Sequence, residues 1–145
     1  MLKKWIHAPS SQPIRSLDII RITVALILSV HSVYRIIEGD VTGFGQFLSS
    51  IGFPLGIPLA WLITLGTLAC SIALIIGRLV VPACIGHMIV LIAGIVLDHA
   101  HDGWFVVGGG RNGMEYSVTL ITCLFAVLWS YWPRNPSLQN IQAGI

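Results

Sequence analysis

Charge is what this 145-residue sequence has least of: Asp, Glu, Lys and Arg make up 10% of it, against 55% hydrophobic residues. A soluble domain carries about a quarter charged residues, so this scarcity, with a mean hydropathy of +0.85, excludes an ordinary water-soluble globule. The net charge is +2, and the few basic residues form no cluster. That excludes a nucleic-acid partner. The three cysteines, Cys70, Cys84 and Cys123, contain no C-x-x-C pair, and thiols set in hydrocarbon have low reactivity. Dithiol chemistry by this chain is not expected.

Acidic residues are absent after Glu115, and this decides a second question. Gly108, Gly110 and Gly113 spell G-x-G-x-x-G after the strand-like Trp104-Phe-Val-Val107 run. A dinucleotide-binding loop needs a ribose-binding carboxylate roughly 20 residues further on. None exists, so the glycines are read as a flexible loop entering a helix, and no nucleotide partner is expected.

What remains is long apolar runs. Four of them, about Leu17 to Ile36, Ile57 to Ile76, Leu79 to Leu97 and Met114 to Trp132, approach the roughly 20 residues that a membrane-spanning helix needs. The first is too long for a signal-peptide core and lacks a small-x-small cleavage site. The expected fold is an all-α membrane protein: a four-transmembrane-helix bundle over residues 17–132, flanked by an N-terminal segment 1–16 and a C-terminal tail 133–145. Between the first two spans, Phe44 to Ile51 is too short to cross and reads as an interfacial segment.

Lys3, Lys4, Arg15, Arg21, Arg78 and Arg134 fall at the termini or the turn between spans two and three, leaving Arg35 and Arg111 near the other loops. By the positive-inside rule both termini are cytoplasmic. Helical phase then groups Asp18, Arg21, Ala25, Ser29 and Ser32 on one face of span one, with Arg35 at its edge. Ala60, Thr64, Thr67 and Ser71 share a face of span two, and His87, Gly94 and Asp98 one of span three. Glu115, Thr119, Thr122, Ala126 and Ser130 share one of span four. Lipid is as apolar as leucine, so all four stripes are expected to turn inward.

Several features occur here in a specific order. An Arg opens the first of four short spans, and Gly52-Phe53-Pro54 precedes the second. Gly77-Arg78 precedes the third, which ends in histidines, and a Gly-rich loop leads into Glu115. From about Leu17 to Trp132 the chain resembles the DoxX family of small bacterial inner-membrane proteins. That resemblance implies a four-span bundle linked to quinone-dependent sulfur or thiol oxidation, often as an accessory subunit, with quinone as the cofactor in question. Many relatives carry Glu in the second span where this chain has Thr67.

The candidate site lies at the outer ends of the spans: His31, Arg35, Asp98, His99, His101 and Glu115. These residues could relay protons to a quinone headgroup, or Arg35, Asp98 and Glu115 could form an ion pair stapling the helices while the histidines stay solvated. The i, i+2 spacing of His99 and His101 is a weak metal signal, and no metal is assigned. Arg21, Thr67 and His87 are the intramembrane polar residues. Arg21 with Asp18 reads as a snorkelling pair, and His87 as either functional or a neutral core histidine bonded to a facing Ser or Thr. No catalytic residue is singled out. Two function classes stand: an accessory or assembly subunit docked on another membrane protein or on a second copy within the bilayer, and a quinone-linked oxidoreductase component.

Overall fold

The computed structural model describes residues 15–133. The expected N-terminal segment and C-terminal tail, with Lys3, Lys4 and Arg134, lie outside the described residues except at their inner edges. All regular structure among the described residues is helical: α1 (Arg15–Ile37), α2 (Val41–Ser50), α3 (Gly56–Ile76), α4 (Val80–Leu97) and α5 (Glu115–Tyr131), with a 3-10 turn at His99–Asp102. Three helices, over Leu17–Ile37, Gly56–Ile76 and Val80–Leu97, are long and apolar enough to cross a membrane. The fourth apolar helix, α5, has 17 residues and is about 25 Å long at 1.5 Å per residue.

Local chemistry sets the helix boundaries. Pro58 and Pro82 each occupy the third position of their helix, where the missing N–H costs no intrahelical bond. The first such bonds form one residue later, from Leu59 N–H to Leu55 and from Ala83 N–H to Leu79. At the far end of α3, Gly77 adopts φ +76°. Its N–H bonds the Leu74 carbonyl while Arg78 N–H bonds that of Ala73, the paired pattern of a Schellman cap. Helix α5 stops at Trp132, extended at ψ 130°, because a residue preceding proline is pushed out of the helical region.

Helix α1 packs against α3 and α5, α4 against α3 and α5, and α2 against α3. Arg21 near the start of α1 bonds the end of α3, and Asp18 meets Tyr131 at the end of α5. Ser71 of α3 meets His87 of α4. The four long helices therefore alternate in direction, with both ends of the described chain on one side. The main apolar core draws Val24 and Ala25 from α1, Leu74 from α3, Val80, Ala83 and Cys84 from α4, and Leu120, Leu124 and Val127 from α5. A smaller core of Val41, Leu48 and Ala60 holds α2 onto α3.

The outward surface is largely aliphatic. Ile19, Val30, Leu62, Ile76, Ile89 and Val96 are each more than 60% exposed. Water does not tolerate apolar area on this scale in a monomer, whereas lipid does. The chain is an integral membrane protein.

On the inward stripes of α1 and α3, Arg21, Ala25, Ser32, Ala60, Thr64 and Ser71 are buried, while Asp18, Ser29 and Thr67 are at intermediate depth. On α4, His87 is buried with Gly94 and Asp98 at intermediate depth. The expected stripe of α5 is wrong. Thr119, Thr122 and Ala126 are exposed, and the buried face is Ser117, Leu120, Leu124 and Val127. Thr119 and Thr122 donate their hydroxyls to the carbonyls of Glu115 and Val118 at 2.8 and 2.9 Å. A threonine so satisfied by its own helix has no need of an interior partner.

Candidate functional site

The outer residues divide into two groups, set by the elements that carry them. Arg35, at the end of α1, donates to Thr64 Oγ1 of α3 at 3.2 Å and lies 4.1 Å from the centre of the Phe44 ring of α2. Phe44 gives the guanidinium a π face where it would otherwise meet hydrocarbon. Arg35 is thereby a clamp holding α2 against α1 and α3.

The second group closes the loop between α4 and α5. Asn112 adopts φ +59° and aims its amide at two carboxylates, Asp98 Oδ2 at 3.2 Å and Asp102 Oδ2 at 2.8 Å. His99 donates from Nδ1 to the Asn112 carbonyl at 2.9 Å and lies 3.5 Å from Asp98 Oδ2. Backbone bonds from Gly113 to Phe105, Met114 to Gly103 and Glu115 to Trp104 zip the loop shut. Glu115 Oε1 accepts from the Val106 N–H at 3.0 Å.

The proposed staple of Arg35 with Asp98 and Glu115 does not form. Among the described residues the ion pairs are Arg21 with Asp18 and, when its imidazole is protonated, His99 with Asp98. The Glu115 carboxylate turns to the loop backbone because an unpaired amide lies within its reach. His31 is exposed on α1 and donates to the Ile27 carbonyl of its own helix at 3.2 Å. His101 is exposed beyond α4. Among the described residues no three His, Cys, Asp or Glu side chains converge as metal ligands would, and the three cysteines are free.

Inside the bundle the polar groups pair across α1, α3 and α4. The Thr67 hydroxyl lies within reach of two carbonyls of its own helix, Ile63 at 2.8 Å and Thr64 at 3.0 Å. Ser32 Oγ lies 2.7 Å from Thr67 Oγ1, and either hydroxyl can donate to the other. His87 is 1% exposed, with Nε2 3.2 Å from Ser71 Oγ, the geometry of a core histidine. Arg21 is buried more deeply than a snorkelling residue. Its guanidinium bonds Asp18 Oδ1 at 3.2 Å and the carbonyls of Leu74 and Ile75, where a cation complements the C-terminal end of the α3 dipole.

Sequence reasoning missed Asn112 and the Phe44 and Thr64 partners of Arg35. Asn112 carried a signal: Asn before Gly is the pair most tolerant of the left-handed region. Within the G-x-G-x-x-G stretch, Gly113 is buried. A Cβ there would lie 2.5 Å from the Phe105 carbonyl oxygen, so this glycine serves the loop's own close packing.

The family model for DoxX matches residues 16–100, more than half of the chain. The chain belongs to the DoxX family. The match runs from α1 into the 3-10 turn, leaving Asn112, Glu115 and α5 beyond it. No curated protein and no solved structure matches the chain.

A quinone headgroup is bound through donors converging on its two carbonyl oxygens. The six candidate residues do not fit that requirement as one site. Arg35 turns to Thr64 and Phe44, His99 to the Asn112 carbonyl and Glu115 to the Val106 amide, so these side chains are directed at separate partners and not at one shared point.

Proposed function

We propose that this DoxX protein is a four-transmembrane-helix bundle of the bacterial plasma membrane, with both termini cytoplasmic, that acts as an accessory subunit of a larger membrane complex. Helix α5 as a fourth span is supported by its packing against both α1 and α4. The orientation rests on the basic residues at the end where the termini lie. Helix α2, held on α3 by its own small core, serves as the interfacial segment.

The observation that carries the accessory role is the outward stripe of α5. Thr119, Thr122 and Ala126 are exposed, on a helix that otherwise shows Phe125 and Trp129 to the outside. Small residues spaced at three and four positions on a lipid-facing surface permit a second helix to approach closely, which is what drives association where hydrophobicity cannot. The occupant proposed is a transmembrane helix of a different membrane protein. The dispersal of the outer ionisable residues into structural bonds favours this role over a quinone-reducing one.

A photo-crosslinking residue at position 126, compared with one at Ile89 on the lipid face of α4, tests the reading in native membranes. Capture of one membrane protein from position 126 alone, abolished by Thr122→Leu, supports it. Cross-linking only to a second copy of this chain, or equal labelling from both positions, overturns it. Stoichiometric quinone in a lipid extract of the purified protein would move the assignment to the oxidoreductase class.

A further inference from the structure

Above the start of α5 a groove of about 540 Å³ opens beneath the outer loop. Its walls are the rings of Trp104 and Tyr116 and the aliphatic side chains of Val107 and Val118, with Glu115 and Thr119 as polar members. Trp104 and Val107 are 51% and 79% exposed, so the groove faces outward. It sits where the apolar helix α5 begins, which on the proposed four-span arrangement is the level at which lipid headgroups meet acyl chains.

The charge in this groove is unbalanced. Glu115 spends Oε1 on the Val106 N–H, and among the described residues no Lys, Arg or His lies in ion-pair contact with its carboxylate. A carboxylate at the edge of hydrocarbon is costly without a counter-charge. Two aromatic rings beside it add a surface that attracts cations. The Thr119 hydroxyl is already committed to the Glu115 carbonyl at 2.8 Å, so the carboxylate's second oxygen sets the preference: a ligand that is cationic, donates hydrogen bonds and carries an apolar tail.

We propose that this groove binds the primary ammonium headgroup of an aminophospholipid from the leaflet it faces, with Glu115 as counter-ion and Val118 against the start of the acyl chain. The first turn of α5 presents the positive end of its dipole to the lipid phosphate, which separates the two charges of the headgroup along the groove. This site shares Thr119 with the partner stripe of Thr119, Thr122 and Ala126, and its other lining residues lie outside that stripe. It is measured on the isolated protein, so its failure leaves the accessory role standing and the reverse also holds.

The test uses the full chain reconstituted in bilayers of equal phosphatidylethanolamine, phosphatidylglycerol and phosphatidylcholine, released into mild detergent and weighed with its retained lipid by native mass spectrometry. The wild-type protein is expected to retain phosphatidylethanolamine over either other lipid by about tenfold, which corresponds to about 1.4 kcal/mol. Glu115→Gln keeps an oxygen for the Val106 N–H and should bring the lipids to parity. Thr119→Trp fills the groove from an exposed position and should lower retention without touching the carboxylate. Equal retention of the three lipids by the wild type, or a preference unchanged in Glu115→Gln, overturns the assignment.

Discussion

The Tyr131 hydroxyl donates to Asp18 Oδ1 at 2.8 Å, joining the last turn of α5 to the first turn of α1 across 113 positions of sequence. The same oxygen receives Nε and a terminal nitrogen of Arg21 at 3.2 Å. Arg21 in turn reaches the carbonyls that end α3. One carboxylate therefore fixes the ends of three helices, and it does so with donors that lipid could not replace.

Removing single members of this knot should separate their contributions. Tyr131→Phe deletes one neutral donor and is expected to cost about 1 kcal/mol. Arg21→Gln strands Asp18 and uncaps α3, and should cost about 3 kcal/mol, near the lower end for a broken buried pair because Asp18 retains 31% side-chain exposure. Thermal unfolding in detergent checks the order. A Tyr131→Phe variant melting as low as Arg21→Gln would show that the tyrosine, not the arginine, organises this end.

Where α2 crosses the start of α3, the backbones meet at two glycines. A Cβ on Gly45 would lie 2.6 Å from Ile57 Cα, and one on Gly56 would strike the Gly45 carbonyl oxygen. Backbone cannot yield as a side-chain tip can, so Gly56→Ala should cost about 1–3 kcal/mol and loosen α2. Gly66, further along α3, has nothing within 4 Å of an added Cβ. Gly66→Ala should stabilise by about 0.5–1 kcal/mol through helix propensity alone. Protease susceptibility near Ser50 should rise in the first variant and stay unchanged in the second; equal behaviour of the two would refute the close crossing.

The difference between α1 or α3 and α5 shows what the sequence could and could not tell. On α1 the buried stripe contains Arg21 and Ser32, whose partners lie on another helix; for such groups polarity in a lipid-facing segment does imply an inward direction. Thr119 and Thr122 look the same in sequence yet bond their own helix, so their polarity carries no directional information. The span boundaries were legible because apolar length, proline and glycine are local signals. The outer site was not, because a carboxylate bonds whichever donor the fold brings nearest. For Glu115 that was the Val106 amide, a group the sequence shows at every position alike.

Orientation in the membrane has a direct readout. Val107 is 79% exposed in the loop opposite the chain ends, and the native thiols of Cys70, Cys84 and Cys123 all lie within helices. With both termini cytoplasmic, Val107→Cys should react with a membrane-impermeant maleimide on intact cells, and Gln142→Cys only after the membrane is opened. The opposite pattern would reverse the topology and place the Glu115 groove in the cytoplasmic leaflet.

Arg35 and Glu115 carry opposite charges at the same end of the bundle, and a pairing between them would be the simplest reading of the sequence. The structure gives each a separate task, Arg35 with Thr64 and Phe44 and Glu115 with Val106. Arg35→Gln should cost about 1–2 kcal/mol from the lost cation–π contact and hydrogen bond. Glu115→Gln should cost less than about 1 kcal/mol, since its amide oxygen still accepts from Val106. Sites without a shared partner add. The double variant should therefore unfold at the sum of the two losses, within about 0.5 kcal/mol, when stability is followed by chemical denaturation in detergent. A coupling of about 2 kcal/mol or more, with the second change recovering part of the first loss, would show that the two charges do meet and that the start of α5 closes onto α1.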